Sequence, residues 1–223
     1  IMDFDEEIVN AFEIGAKLTL AEGLRINTSV YYNDYENYQA FNINGLDTRI
    51  SNSEAKSRGF ELELQASPGS GFDLILGIAY NDTDVDVPSI SNFAGTAIIA
   101  AGYSTTPVQS PKWNLNGLVR KAFDVSGGQL SIQGDFVYRS EHYFNLNGAQ
   151  GAEASSEDGY AIVNGRIGYT PDDADWELSF FVNNVFGKEY LVQTFDLAAF
   201  GFTEQYYGRP RWWGASVRFE FGG

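Results

Sequence analysis

The feature that most constrains this chain is strict two-residue alternation sustained far beyond the length of an ordinary strand. From position 129 onward Leu130, Ile132, Gly134, Phe136 and Tyr138 occupy the even positions, and Gln129, Ser131, Gln133, Asp135, Val137 and Arg139 the odd ones. Near the end of the chain Trp213, Ala215, Val217, Phe219 and Phe221 alternate with Trp212, Gly214, Ser216, Arg218 and Glu220. Phe12, Ile14, Ala16, Leu18 and Leu20 alternate in the same way with Glu13, Gly15, Lys17 and Thr19. A period of two places one set on each face of a strand. Nine such segments are predicted, at 9–20, 24–42, 48–66, 72–86, 112–123, 129–143, 159–170, 176–195 and 205–221. Soluble strands average about 5–6 residues, so these are unusually long.

The connections alternate in length as well. Those at 21–23, 67–71, 124–128 and 171–175 are short and dense in Gly, Pro, Asp or Ser, as tight turns require. Those predicted at 43–47, 87–111, 144–158 and 196–204 are the looped ends. The spacing of the short turns invites comparison with propeller blades, but each interval holds two long strands, whereas a blade holds four short ones. The longest stretch without a charge, Val87 to Pro111, contains three prolines and reads as a loop, which excludes a helical membrane span there.

Aromatic placement separates a membrane barrel from a soluble sandwich better than alternation does. Trp113 and Phe123 bracket an apolar row of 11 residues, Trp176 and Phe186 another of 11, and Phe72 and Tyr80 one of 9. A strand tilted across a bilayer needs about 9–11 residues. Phe72, Phe123, Tyr169, Trp176 and Phe221 lie near the short turns, and Tyr32, Tyr80, Trp113, Tyr138 and Phe186 near the looped end. Two aromatic belts around an aliphatic band are the girdles of an outer-membrane barrel. The opposite face is polar, with Arg25, Asn27, Ser29, Glu61, Glu63, Gln65, Asn114, Asn116, Arg120, Gln133, Asp135, Asn164 and Arg166. It suits either a wet lumen or the outer surface of a sandwich.

Composition narrows the chemistry. Aromatic residues make up 15% of the chain, too many for a disordered protein, and the net charge of −16 argues against nucleic-acid binding. The absence of cysteine excludes disulfides, thiolate metal sites and a cysteine nucleophile within the 223 residues. His142 is the only histidine and shares the predicted outward face with Ser140, two residues away. That separation of roughly 6.5–7 Å along a strand is too long for a working pair. Asp82, Asp84 and Asp86 alternate along one strand end and read as solvated, with no spacing that completes a calcium loop. No catalytic residue, cofactor or resident metal is expected.

Several stretches, in order along nearly the whole chain, resemble the C-terminal part of TonB-dependent outer-membrane receptors. They are 12–17 (FEIGAK), 32–39 (YNDYENYQ), 57–64 (SRGFELEL), 110–115 (SPKWNL), 182–190 (VNNVFGKEY) and 208–214 (GRPRWWG). The resemblance implies an all-β, antiparallel up-and-down transmembrane β-barrel, with about nine strands here forming the last part of a 22-stranded barrel. It implies a location in the outer membrane of a Gram-negative bacterium, with short turns toward the periplasm and long loops outside. The implied function is active uptake of a ferric siderophore or similar scarce nutrient. The implied partners are outer-membrane lipid, TonB and a plug domain, the barrel-assembly machinery and the small-molecule ligand. On this reading residues 1–223 are one barrel segment without plug or TonB box, and residues 1–8 are the tail of an external loop. Arg218, Phe219 and Phe221 keep the pattern of the terminal assembly signal, although two glycines follow. Ligand candidates are the inward residues near the looped end: Tyr35, Arg139, Glu141, Tyr143, Tyr206 and Trp212. Two alternatives stand beside this reading: a complete small outer-membrane barrel, structural or lipid-modifying, and a soluble β-sandwich binding module.

Overall fold

The computed structural model describes residues 5–44, 47–87, 90–91, 97–99, 103–146, 155–197 and 201–220. The long strands are β1 (Ile8–Ala21), β2 (Leu24–Asn44), β3 (Asp47–Gly69), β4 (Phe72–Val87), β8 (Trp113–Val125), β9 (Gly128–Arg139), β12 (Tyr160–Pro171), β13 (Trp176–Asn183) and β16 (Trp212–Phe219). Between them lie the short strands β5 (Ile90–Ser91), β6 (Ala97–Ile99), β7 (Tyr103–Thr105), β10 (His142–Tyr143), β11 (Ser156–Glu157), β14 (Leu191–Leu197) and β15 (Phe202–Tyr207). The nine long strands pair in chain order, each antiparallel to the next, with β7 added to the far end of β4. Among the described residues β1 and β16 each have one neighbour, so the sheet is open.

The register carries a single phase across the sheet. One cross-strand row runs Ala66, Leu74, Val119, Gly134, Gly165, Val182 and Trp213, and the row beside it runs Phe72, Lys121, Ile132, Ile167, Phe180 and Ala215. Every alternating apolar set therefore falls on one face, and little covers it: Phe180 is 58% and Phe219 57% exposed. The polar set lines a concavity of 880 Å³, bordered by Glu13, Lys17, Asn27, Ser29, Glu61, Glu63, Gln65, Asn114 and Asn116. The sheet is thus curved with its polar face inside and its apolar face out. A sandwich buries its apolar face against a second sheet, and the described strands provide none. Register shifts in the main sheet occur only at 19/21, 35/38 and 66/69.

Several expectations are corrected. The connection predicted at 43–47 is short, because β2 continues to Asn44 and β3 begins at Asp47. The segment predicted at 129–143 ends at Arg139, after which His142–Tyr143 turns away to pair with Ser156–Glu157. The segments predicted at 176–195 and 205–221 are each interrupted, and their outer parts form a separate β14–β15 hairpin. At the first interruption stands Asn184, with a φ of 53°, where the chain leaves the strand and turns. Phe186 consequently lies in the turn that follows, 77% exposed, and is not the end of an 11-residue strand row. Finally, Ile8 opens β1 instead of closing a loop, and Phe221 lies outside the described residues.

A small core forms where loops fold back over the looped end. Leu146 meets Ala40, Ala55 and Val85, with Tyr35, Tyr38 and Tyr103 packed around them.

Candidate functional site at the looped end

Above the apolar band the inward residues of β2, β3 and β4 build a polar network around Asn81. Its side-chain oxygen accepts from the hydroxyls of Tyr31 and Ser57, both at 2.9 Å, and its amide donates to the Ser110 hydroxyl at 3.0 Å. Thr83 donates into the same cluster, 2.9 Å from Asn81 and 3.0 Å from Ser57. Gly59 makes this possible. A Cβ there would sit 2.0 Å from the Tyr80 carbonyl oxygen and 2.6 Å from the Tyr31 hydroxyl, so only glycine lets the tyrosine cross the strand. The network ties the 106–111 loop to the sheet through Ser110.

The six ligand candidates are spread along the rim, and the structure brings together only part of the set. Glu141 and Tyr143 share a 260 Å³ pocket with Thr106, Ser110, Lys112, Trp113 and Ser140. Burial pushes the Tyr143 hydroxyl above its ordinary pKa, and the Glu141 carboxylate adds to the shift. Arg139 is paired in register with Asn114 on one side and Tyr160 on the other. Tyr35 belongs to the small core and meets Tyr38 edge to face at 5.8 Å. Trp212 packs edge to face on Phe181 at 5.1 Å, on the inner face of the last strands. Tyr206 stands on the β14–β15 hairpin, 45% exposed, and donates to Glu204 at 2.7 Å, which raises its hydroxyl pKa.

His142 is not on the outward face. It is 3% exposed, meets the rings of Phe144 and Tyr160, and its Nδ1 lies 3.1 Å from the Ser140 carbonyl oxygen. The Ser140 hydroxyl accepts the Trp113 backbone N–H. The strand break after Arg139 rotates His142 inward, which alternation could not anticipate. Asp82 is the partner of two cations: Arg58 and Lys112 each donate to it at 2.8 Å. Those donors hold its carboxyl below the usual carboxylate range. Among the described residues no group of three or more His, Cys, Asp or Glu is placed to hold a metal ion.

Two groups of residues at the looped end were missed. Asn184 is buried and clamps the hairpin's entry and exit: its amide donates to the carbonyls of Lys188 at 2.8 Å and Arg209 at 3.3 Å, and its oxygen accepts the Lys188 N–H at 2.9 Å. Its own N–H donates to Asn164, whose amide reaches Asp135. Beside it Tyr160 stacks on Tyr190 at 4.7 Å, and the Tyr190 ring lies over Gly208, where a Cβ would be 2.0 Å away. The 182–190 and 208–214 motifs signalled these positions without revealing that they interlock.

Long antiparallel strands, an exposed apolar face ringed by aromatics and a polar concave interior define a segment of an outer-membrane β-barrel. The family model described as TonB dependent receptor-like, beta-barrel matches residues 2–185, and the chain belongs to that family. Members of the family are outer-membrane β-barrel proteins of Gram-negative bacteria. The ferric-pyoverdine M114 receptor PbuA of Pseudomonas sp. (strain M114) is 26% identical over 174 residues, covering 77% of this chain and 19% of that protein. The ferric yersiniabactin uptake receptor FyuA of Yersinia pestis superposes with a TM-score of 0.77 at 17% identity, covering 98% of this chain and 31% of FyuA. Pseudomonas aeruginosa FpvA, solved with iron and a heterologous pyoverdine, gives 0.70 at 19% identity, covering 97% of this chain and 27% of FpvA. The chain therefore spans less than a third of the length of each of these relatives.

Proposed function

We propose that this chain is the C-terminal part of the barrel of a receptor that takes up a ferric siderophore, driven by TonB through a plug domain. The reading is carried by the curved sheet, whose polar concave face and exposed apolar face fit a wet lumen enclosed by lipid. The named relatives support it, because each is described as a receptor or structure for a ferric siderophore. In this reading Phe72, Tyr80, Trp113, Phe123, Tyr138, Tyr169, Trp176, Phe186 and Phe221 sit at the membrane interfaces. Arg218, Phe219 and Phe221 are read by the barrel-assembly machinery. Arg139, Glu141, Tyr143, Tyr35, Tyr206 and Trp212 face the ligand or the loops that enclose it. Arginine beside tyrosine suits an anionic, aromatic-rich iron chelate.

The test is radioactive iron uptake by iron-starved cells with and without the gene, using a panel of purified ferric siderophores. Loss of uptake of one member, and the same loss when TonB is absent, is expected. Uptake unchanged for every chelate would overturn the siderophore reading.

A further inference from the structure

We infer that three successive connections at the looped end are fastened into one rigid cover, with Glu157 and Gln109 as the fasteners. They are the 106–111 loop before β8, the β10–β11 hairpin between β9 and β12, and the β14–β15 hairpin between β13 and β16. Among the described residues neither hairpin belongs to the main sheet. β10 and β11 pair only through His142 with Glu157 and Tyr143 with Ser156. A two-stranded hairpin is marginally stable in water by itself, so the placement of each depends on what it touches.

Their hydrogen bonds close a triangle. Gln109 donates its backbone N–H to the Tyr143 carbonyl at 2.8 Å, which joins the loop to β10. Its side-chain amide donates to Gln193 Oε1, also at 2.8 Å, which joins the loop to β14. Glu157 on β11 makes the third side: its Oε2 accepts the Leu191 N–H of β14 at 2.8 Å, and Lys188 Nζ lies 3.6 Å from its Oε1. Bodies joined pairwise around a triangle cannot change their spacing unless one side breaks. Ser110, next to Gln109, fixes one corner to β4 through Asn81.

Both fasteners carry the marks of built positions. Glu157 and Leu191 are 9% and 8% exposed. A carboxylate is seldom buried so far unless it is paired, and removing this one leaves the Leu191 N–H without its acceptor. Gln109 has a φ of 54°, in the left-handed region that residues other than glycine rarely adopt. Such strain persists where the surroundings hold it, and here the strained residue bonds to both hairpins. On the transport reading, on which this consequence rests, the cover keeps Tyr143 of β10 and Tyr206 of β15 at one spacing. A mouth braced in this way selects a chelate by fit, and these connections move together.

The experiment is amide hydrogen exchange of the intact protein carrying this chain, purified in a nonionic detergent and resolved to single residues. One amide reports on each body: Gln109 for the loop, Leu191 for β14–β15, and Phe144, which donates to the Ser155 carbonyl at 2.8 Å, for β10–β11. In the wild type the three should show closely similar protection, because one opening exposes them all. Gln193→Ala removes a half-buried surface amide and the acceptor of none of the three. It should nevertheless speed exchange at all of them by about two- to tenfold, the range for loss of a neutral hydrogen bond. Glu157→Leu should speed Gln109 and Phe144 as well as Leu191, by about tenfold to a hundredfold. Gln109→Lys combined with Gln193→Glu replaces the amide pair by an ion pair and should restore the protection of Phe144 and Leu191. Amides in the middle of β9 should keep their rates throughout. Faster exchange confined to Leu191 in Glu157→Leu, or unchanged rates at Phe144 and Leu191 in Gln193→Ala, would overturn the cover. No chelate enters the measurement, so its failure leaves the transport reading standing, and failed iron uptake leaves the cover standing.

Discussion

An arginine placed at Leu76 tests the face assignment directly. Leu76 lies four residues from Phe72 at one aromatic belt and four from Tyr80 at the other, so it stands at the centre of its strand's crossing. At about 3.3 Å per residue and a tilt near 40°, each belt is roughly 10 Å away in depth. Its register neighbours are Leu64 and Gly117, both on the apolar face, with the Phe136 ring over Gly117. No acidic or carbonyl partner stands beside it on that face, and 10 Å is too far for an arginine to reach headgroup water easily. Leu76→Arg should therefore cost about 2–4 kcal/mol of folding free energy in lipid. Ile75, the adjacent residue, points to the concave face between Gln65 and Leu118 and is 40% exposed. Arginine there meets water and glutamate-rich neighbours, so the penalty should stay below about 1 kcal/mol. The assay is guanidinium-titrated folding of the intact protein into large unilamellar vesicles. Similar penalties for the two variants, or a larger one for Ile75→Arg, would refute the assignment of lipid and lumen faces.

Two further predictions concern the looped end. Asn184→Ala should cost about 2–4 kcal/mol, from left-handed backbone strain together with lost hydrogen bonds to Lys188 and Arg209. The check is faster amide exchange at Lys188 and Gly208, with little change in the middle of β9. Asp82 gives a pH signature. Its folded-state pKa is depressed, so its contribution is complete above the unfolded value of about 3.9 and is lost as the pH falls through the folded value. Wild type should be more stable than Asp82→Asn at neutral pH, and in an acid series of thermal melts the gap should narrow only as the pH falls below the unfolded value. Equal stability of wild type and Asp82→Asn at neutral pH would show that the ion pairs with Arg58 and Lys112 contribute nothing.

Much of the sheet was legible because alternation is a local property that the cross-strand register only has to respect. Phe60, Tyr80 and Trp113 could be placed on one face from spacing alone, and pairing then brought their rings together. Breaks in the strands were not legible. Val182, Asn184 and Phe186 keep a spacing of two, so the pattern runs on across the turn in which Asn184 stands. His142 was misplaced for the same reason, since Ser140 and Glu141 leave the strand without interrupting the alternation. The partners at the looped end depend on contacts distant in sequence, such as Leu146 on Val85 or Lys112 on Asp82, and no spacing encodes those. Tyr35 packs against core side chains that only the folded loop supplies, which no spacing could show.

The confinement of register shifts to 19/21, 35/38 and 66/69 has a consequence for how such a chain can change. Each shift lies at a short turn or beyond the looped-end belt, and none falls within the rows that cross the membrane. Those rows behave like a reading frame. One residue inserted between Phe72 and Tyr80 would exchange lumen and lipid faces for the remainder of that strand. The same insertion at Tyr35–Tyr38, or in the 106–111 loop, would be absorbed where the frame is already interrupted. The loops and strand tips are therefore free to vary in length, and with them whatever the mouth recognises, while the crossing rows admit substitutions but no insertions.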